Sequence, residues 1–447
     1  MGYNIGMVSL GCAKNMTDSE IMLGLLAGDG HKIVADPEQA DIIIVNTCGF
    51  IESAKQESID TILEMAQYKS GRCRMLIAAG CMAERYNSQV LEFMPEVDAL
   101  VGTGDYDKIA EVINSAFAGE RPLLFGHKDR TPEEGLPRVL STPPYTAYVK
   151  IADGCDNNCT YCAIPKIRGK FRSRRIEDVY DECVRLAENG VREVILIAQD
   201  TTRYGKDIYG EYSLDKLIRK LCEIEKLHWI RVHYFYPEAV TDELIAAMSE
   251  NDKVCSYVDM PVQHGNNEIL RRMARRTNRA QMEEKITKLR AAMPDCVIRT
   301  SIIVGFPGET EDQFEELCEF VKDARFDRMG VFCYSQEEDT AAASFDDQLD
   351  DETKERRRDI LMTLQQKISL ENNRRKIGSV IEVLTEGYDE DNFMYYGRSR
   401  GDSIGVDSRV YFAAHHDVEN GEFVNVKILD ADEYDLTGEE CDDEYSE

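Results

Sequence analysis

Between residues 146 and 335, six apolar runs of strand length alternate with helical stretches, and no other feature so narrows the folds open to this chain. The runs are TAYVKIA, EVILIAQ, IRVHYFY, SYVDMPV, VIRTSIIVGF and MGVFCYS, with segments such as IEDVYDECVRLAENG and DQFEELCEFVKDA between them. Strand–helix units repeated in this way predict a parallel sheet covered by its helices. Six units are too few for a closed eight-stranded barrel. They predict an open, partial barrel with its site at the carboxyl-terminal mouth of the strands.

A cysteine triplet sits at that mouth. Cys155, Cys159 and Cys162 lie in GCDNNCTYC, a C-x3-C-x2-C spacing directly after the first strand. Three thiolates on one loop can hold three irons of a cubane cluster and leave the fourth iron open. An open position is what separates a catalytic metal site from a closed structural one. The bland readings are a zinc loop, which favours paired cysteines at shorter spacing, and buried thiols acting as small hydrophobes.

The first third of the chain is also α/β. Its runs IGMVSLGC, ADIIIVNTC and RMLIAAGC each end on a cysteine: Cys12, Cys48 and Cys81. Ligands gather beyond the carboxyl ends of strands in open parallel sheets, so these three can converge and hold a second cluster. Taken singly, each would read as a core thiol. The other eight cysteines have no motif spacing and read as packing.

The expected organisation is an N-terminal α/β domain over 1–120, a proline-rich linker over 121–144 and the partial barrel over 145–375. Residues 376–440 alternate with period two and are punctuated by glycine, which predicts a small antiparallel barrel of about five strands. Residues 441–447 read as an acidic tail.

Net charge is −31. Such acidity repels phosphate backbones and steers basic proteins. The last 72 residues carry 20 Asp/Glu against 5 Lys/Arg, a net −15, with Asp389, Glu390, Asp391 and Asp402 among the acids expected to face a partner. RNA binding through this barrel is therefore not expected. No apolar run approaches the roughly 18 residues of a membrane helix, and the N-terminus lacks the basic region of a signal peptide. A cytoplasmic protein is expected. Two basic clusters interrupt the acidity, Lys166–Arg175 and Arg271–Arg279. They read as contacts to phosphate, carboxylate or substrate, or as solvated helix faces.

The triplet, with Tyr161 before its third cysteine, resembles the signature of the radical SAM enzymes. The resemblance implies an open iron that chelates S-adenosylmethionine and a cluster electron that cleaves it to a 5′-deoxyadenosyl radical. Gly305 and Gly308 in TSIIVGFPGET resemble the segment that packs against adenine and ribose, although Ser301 stands where glycine is common. Gln199 and Asp200 end the second strand, where they read as cofactor contacts or helix caps.

Taken together, the three regions resemble the methylthiotransferase family: an N-terminal methylthiotransferase domain, a radical core and a TRAM barrel. That resemblance implies a second [4Fe–4S] cluster on Cys12, Cys48 and Cys81, catalytic roles for all six cysteines, and S-adenosylmethionine as both radical source and methyl donor. It further implies an electron donor such as flavodoxin or ferredoxin, and a sulfur donor. SLGCAKNMTDSE and KIADGCDNNCTYCAIPKIRGKFRSR are similar to the branch that modifies an aspartate of ribosomal protein S-twelve, a basic protein. The rival readings are a transfer-RNA adenosine methylthiotransferase and a non-catalytic iron–sulfur scaffold.

Overall fold

A computed structural model describes residues 2–441. Of the expected acidic tail, residues 442–447 lie outside the described residues. Strands β1 (Asn4–Ser9), β2 (Lys32–Ile33), β3 (Ile42–Thr47), β4 (Met75–Gly80), β5 (Ala99–Val101) and β6 (Leu123–Leu124) form one parallel sheet in the order β2-β1-β3-β4-β5-β6. Every residue of β3 and β4 is buried, as parallel strands covered on both faces require. The segment read as a linker begins with β6, so its first residues extend the sheet edge.

The middle of the chain forms two parallel three-stranded sheets. One is ordered β11-β10-β7, from β7 (Thr146–Lys150), β10 (Glu193–Ile197) and β11 (Trp229–Val232); the other is β12-β13-β14, from β12 (Tyr257–Asp259), β13 (Val297–Val304) and β14 (Arg328–Cys333). A parallel bridge between Ile230 and Val254 links the two into a six-stranded partial barrel. A short antiparallel ribbon, β8 (Ala152–Asp153) with β9 (Arg172–Ser173), brackets the cysteine loop. The largest apolar core, including Val149, Leu196, Val232 and Ile298, lies between the strands and helices such as Ile176–Glu188 and Glu311–Ala324.

Strands β15 (Val380–Asp389), β16 (Met394–Ser399), β17 (Val410–Ala413), β18 (Phe423–Ala431) and β19 (Leu436–Glu440) close into the expected five-stranded barrel, ordered β15-β16-β17-β19-β18. It is fused to the core. Glu193, the first residue of β10 and fully buried, accepts from Arg231 at 2.9 Å and from Arg398 of β16 at 2.6 Å. The loop after β16 fills the interior of the partial barrel. Asp402 pairs with Arg328 at 3.0 Å, Tyr257 donates to Asp407 at 2.7 Å, and Ser403 meets His233 at 2.8 Å. Ile404 packs with Tyr148, Ile195 and Ile197. Asp402 is thus buried structure, in contrast to the surface role expected of it; Asp389, Glu390 and Asp391 are at least partly exposed. Burial also pushes His233 down to about 3, so it is a neutral partner here.

The N-terminal domain sits on the opposite end of the strands through a second buried network. Lys150 pairs with Asp18 at 2.5 Å and Asp153 at 3.1 Å; Arg168 pairs with the same two carboxylates at 2.8 and 3.1 Å. At the far edge, Arg85 pairs with Glu337 at 3.4 Å and donates to the carbonyl of Glu338. No helix among the described residues is long and apolar enough to cross a membrane.

Removing one partner of a buried ionic network strands the others at a cost of about 3–5 kcal/mol. Arg168→Met should therefore lower thermal stability markedly and loosen the N-terminal domain, seen as faster proteolysis near residues 121–144. Wild-type melting behaviour would refute this. The second network predicts an acid dependence. Burial opposes ionisation of Glu193, but Arg398 and Arg231 overcome it and hold its carboxyl at about 2, below the ordinary 4.5. Its contribution is complete above pH 4.5 and is lost as pH falls toward 2. Glu193→Gln should lower stability at neutral pH and flatten its decline in that window, measured by denaturant unfolding across pH.

Candidate active site

The six cysteines form two sets. Strands β1, β3 and β4 are neighbours, and their ends are level: Ser9 pairs with Asn46, and Thr47 with Gly80. Cys48 and Cys81 are the next residues after β3 and β4, and Cys81 opens the helix Cys81–Tyr86. Cys12 lies three residues beyond β1 as the N-cap of the helix Ala13–Gly28, further from its strand than the run IGMVSLGC suggests. Gly11 permits that turn: φ is +83°, and an added Cβ would stand 3.0 Å from the Cys48 sulfur.

Asn15 stitches the first set together. Its amide donates to the carbonyls of Leu10 and Thr47 at 3.1 and 2.8 Å, and its Oδ1 lies 3.3 Å from the Cys81 sulfur and accepts from Arg168 at 2.5 Å. Arg168 Nη2 is itself 3.7 Å from that sulfur. Burial raises the Cys81 thiol to about 12 and also raises Cys48, with Arg168 opposing both shifts. Burial opposes ionisation of Cys12 too, but Lys14, Arg168 and helix-start amides outweigh it and lower its thiol. Cys12 itself is accessible.

The second set sits on the loop between β8 and β9. Asp200 accepts from Asn157 inside the triplet at 2.7 Å and from Thr202 at 2.6 Å. It therefore fixes the cysteine loop to the end of β10. Gln199 donates to Asp153 at 2.8 Å and leaves its buried Oε1 without a partner. Tyr161 packs with Ile269, Met273 and Phe306. Burial raises Cys155 to about 11 and pushes Cys162 higher still, with Cys159 adding to both.

Gly305 and Gly308 stand at the end of β13, both with positive φ. A Cβ on Gly305 would meet Lys354 at 2.3 Å, and one on Gly308 would meet Asp347 at 2.3 Å. Glu309 caps this turn, accepting from the amides of Gly305 and Phe306 at 2.6 and 3.2 Å. Close packing by the polypeptide itself thus accounts for both glycines. Of the turn, Phe306 reaches the Tyr161 side of the cysteine loop.

The two sets meet at the domain junction. Cys81 packs in one small cluster with Ala163 and Ile167, and Ala163 directly follows Cys162. Among the described residues, no three or more Cys, His, Asp or Glu converge closely enough to hold a single metal ion. That disfavours a zinc loop, whereas a cubane holds its thiolates apart at separate corners. The buried cations suit an anionic cluster. Beside the second set, Arg275 is buried, stacks 4.2 Å from the Tyr236 ring centroid, and leaves Nε and Nη1 without partners. The donor set and these unmet donors fit an iron–sulfur group.

Asn15, Lys14 and Asp18 escaped the motif search, although all lie in the quoted SLGCAKNMTDSE. Arg168 and Arg275 came from the basic clusters, where spacing could not separate them from neighbours. Arg174 pairs with Glu134 and Glu182, and Arg271 and Arg272 with Glu268 and Asp347.

Three family descriptions match the chain: the radical SAM superfamily over residues 149–321, the uncharacterized protein family UPF0004 over 4–102, and a TRAM domain over 377–440. A relative described as ribosomal protein uS12 methylthiotransferase RimO, from Clostridioides difficile (strain 630), is 51% identical over 436 residues, covering 97% of this chain and 98% of its own. Another of the same description, from Pelotomaculum thermopropionicum, is 50% identical over 98% of this chain and 99% of its own. Among solved structures, the radical S-adenosylmethionine methyltransferase TsrM from Kitasatospora setae shares the fold, with a TM-score of 0.55 at 12% identity over 74% of this chain and 72% of that one. Full-length identity at this level, with the radical SAM and TRAM regions in the same order along the fold, places this chain in the RimO family of radical SAM methylthiotransferases.

Proposed function

We propose that this chain adds a methylthio group to the β-carbon of an aspartate in ribosomal protein uS12, using two [4Fe–4S] clusters and S-adenosylmethionine, in the cytoplasm. The observation that carries this reading is the pairing of two three-cysteine sets, each one ligand short of a closed site, across the junction marked by Cys81 and Ala163. The division into an N-terminal domain over 1–120, a linker over 121–144, a radical core over 145–375 and a barrel over 376–440 is part of it.

Cys155, Cys159 and Cys162 would hold one cluster and Cys12, Cys48 and Cys81 the other. When bound, the first group would supply the electron that cleaves S-adenosylmethionine to a radical able to take hydrogen from an unactivated carbon, and the second would present sulfur close by. The polypeptide positions both. Asp200 and Asn157 hold the Cys155–Cys162 loop, Asn15 and Arg168 tie the set of Cys12, Cys48 and Cys81, and the ion pairs of Asp18 and Asp153 keep the domains closed against water. Gln199 Oε1 and the free N–H groups of Arg275 offer hydrogen bonds to the polar groups of S-adenosylmethionine beside Tyr161. The packing around Gly305 and Gly308 leaves Phe306 as the contact we assign to that turn.

The acidic barrel suits a basic protein substrate. With the tail that follows it, residues 376–447, it carries a net −15, which repels RNA and favours association with a cationic partner. An electron donor of the flavodoxin or ferredoxin kind and a sulfur donor complete the set of partners.

Three measurements test this reading. Anaerobically reconstituted protein should bind about eight irons, two cubanes of four, and the Cys155/Cys159/Cys162 triple Ala variant about four; an active preparation that stays near four would sink the two-cluster reading. The Cys12/Cys48/Cys81 triple Ala variant should still cleave S-adenosylmethionine reductively and form no methylthio product. Mass spectrometry of ribosomal protein uS12 and of transfer RNA, from cells with and without the gene, decides the substrate. Gene-dependent mass on the RNA instead of the protein would overturn it.

The barrel's role is tested with substitutions on its surface, because its loop fills the core and truncation would unfold both. Reversing Asp389, Glu390 and Asp391 to Lys should weaken binding of the ribosomal protein mainly through a slower on-rate, and raise non-specific RNA affinity. The iron content should not change. Binding that ignores both these reversals and added salt would remove the barrel from recognition, since exposed charges are screened over about 8 Å at physiological ionic strength.

A further inference from the structure

Lys14 is a buried cation with no carboxylate partner among the described residues; Tyr234 and the Cys12 sulfur are the groups that favour its charge. It is 8% exposed, directly follows Cys12–Ala13, and appears in no ion pair among the described residues. Its neighbours are treated differently. Lys150 and Arg168 share Asp18 and Asp153, and Arg138 pairs with Glu20 and Glu182. The Lys14 ammonium instead lies 3.5 Å from the centroid of the Tyr234 ring. Burying a charge without a counter-charge is costly, and a ring face returns only part of it.

The partner ring is itself held in place at a cost. Tyr234 follows β11 at the mouth of the partial barrel with φ of +63°, uncommon for a side chain of its size. Its amide donates to Asp259 at 3.2 Å, and its carbonyl accepts from Thr201 at 3.1 Å. The surrounding wall is apolar: Tyr148, Ile195, Ile197, Met16 and Ile404. The charged or ionisable groups nearest the ammonium are Tyr234, Cys12 and Arg168. The Lys14 ammonium thus lies against rings and aliphatic groups, two residues from Cys12.

We propose that Lys14 receives the carboxylate of the substrate aspartate. The inference rests on the aspartate reading given above and assigns its specificity to one side chain. A lone ammonium in an apolar wall suits a compact, singly charged anion, and an aspartate side chain supplies one. The carbon to be modified is bonded to the carboxylate carbon, so an anchored carboxylate places it within one bond, next to Cys12. An amide in the same position would leave the ammonium without its counter-charge.

A double-mutant cycle on reconstituted holoenzyme tests this. Lys14→Met and Lys14→Arg are compared for binding to the ribosomal protein and to its variant with the target aspartate changed to asparagine. Wild-type enzyme should bind the asparagine form about 10- to 100-fold more weakly, as for loss of a charged hydrogen bond. Lys14→Met should bind the two forms equally, and Lys14→Arg should keep most of the preference. Iron content should match wild type, because Lys14 is not a ligand of the cluster. Discrimination that survives in Lys14→Met, or iron lost from the protein, overturns the assignment to Lys14 alone. Wild-type enzyme that binds both forms alike overturns the aspartate reading with it.

Discussion

Everything at the active site depends on one buried ionic knot. Asp18 comes from the N-terminal domain, and Lys150, Asp153 and Arg168 come from the core. Two cations and two carboxylates out of water are tolerable only because each meets both opposite partners. Arg168 then spends its remaining donors on Asn15 and the Cys81 sulfur, which ties the knot to the first cysteine set. Asp153 also accepts from Gln199 and from the amide of Gly154, which ties it to the second. A charge network of this kind is a poor source of net stability but a strict one of geometry, since a shifted domain would leave charges unpaired.

The other end of the partial barrel is governed by the same logic. Glu193 between Arg231 and Arg398, and Asp402 on Arg328, weld the small barrel to the amino ends of the strands. An open six-stranded sheet cannot fill its own interior with side chains as a closed barrel does. Here the interior is completed from both sides, by Ile404 from the small barrel and by Ala13 and Met16 from the N-terminal helix. The three regions are therefore one mechanical unit. On the proposed function, a substrate on the acidic barrel would be held at a fixed distance from the cysteine sets.

The chemistry assigned to the site draws on what this packing leaves unpaired. Arg275 and Gln199 are buried or nearly so and retain polar atoms that the polypeptide does not satisfy, and the Lys14 ammonium lies on the Tyr234 ring with no carboxylate partner. Buried polar groups are normally partnered. Their concentration around two open-sided thiol sets is what distinguishes this region from the fully paired networks on either side. The glycine turn at 305–308 is the opposite case, fully occupied by Lys354, Asp347 and Glu309.

The sequence by itself determined the parallel architecture, the two cysteine sets, the five-stranded barrel and the acidic balance, because each is written in local spacing or composition. Apolar runs between helical segments, a C-x3-C-x2-C loop, three apolar runs that end on cysteine and a period-two stretch at the C-terminal end survive as patterns whatever surrounds them. Pairing was decided only in three dimensions. Asp402 read as one more surface acid and is buried on Arg328, while Arg168 and Arg271 sat in similar basic runs and ended as buried linchpin and exposed partner of Glu268. Lys14 read as an ordinary residue of a motif and became a buried charge with no carboxylate partner. A charged side chain's role follows from which opposite charge it can reach once water is excluded, and those partners lie up to 252 residues away, as Arg85 and Glu337 do.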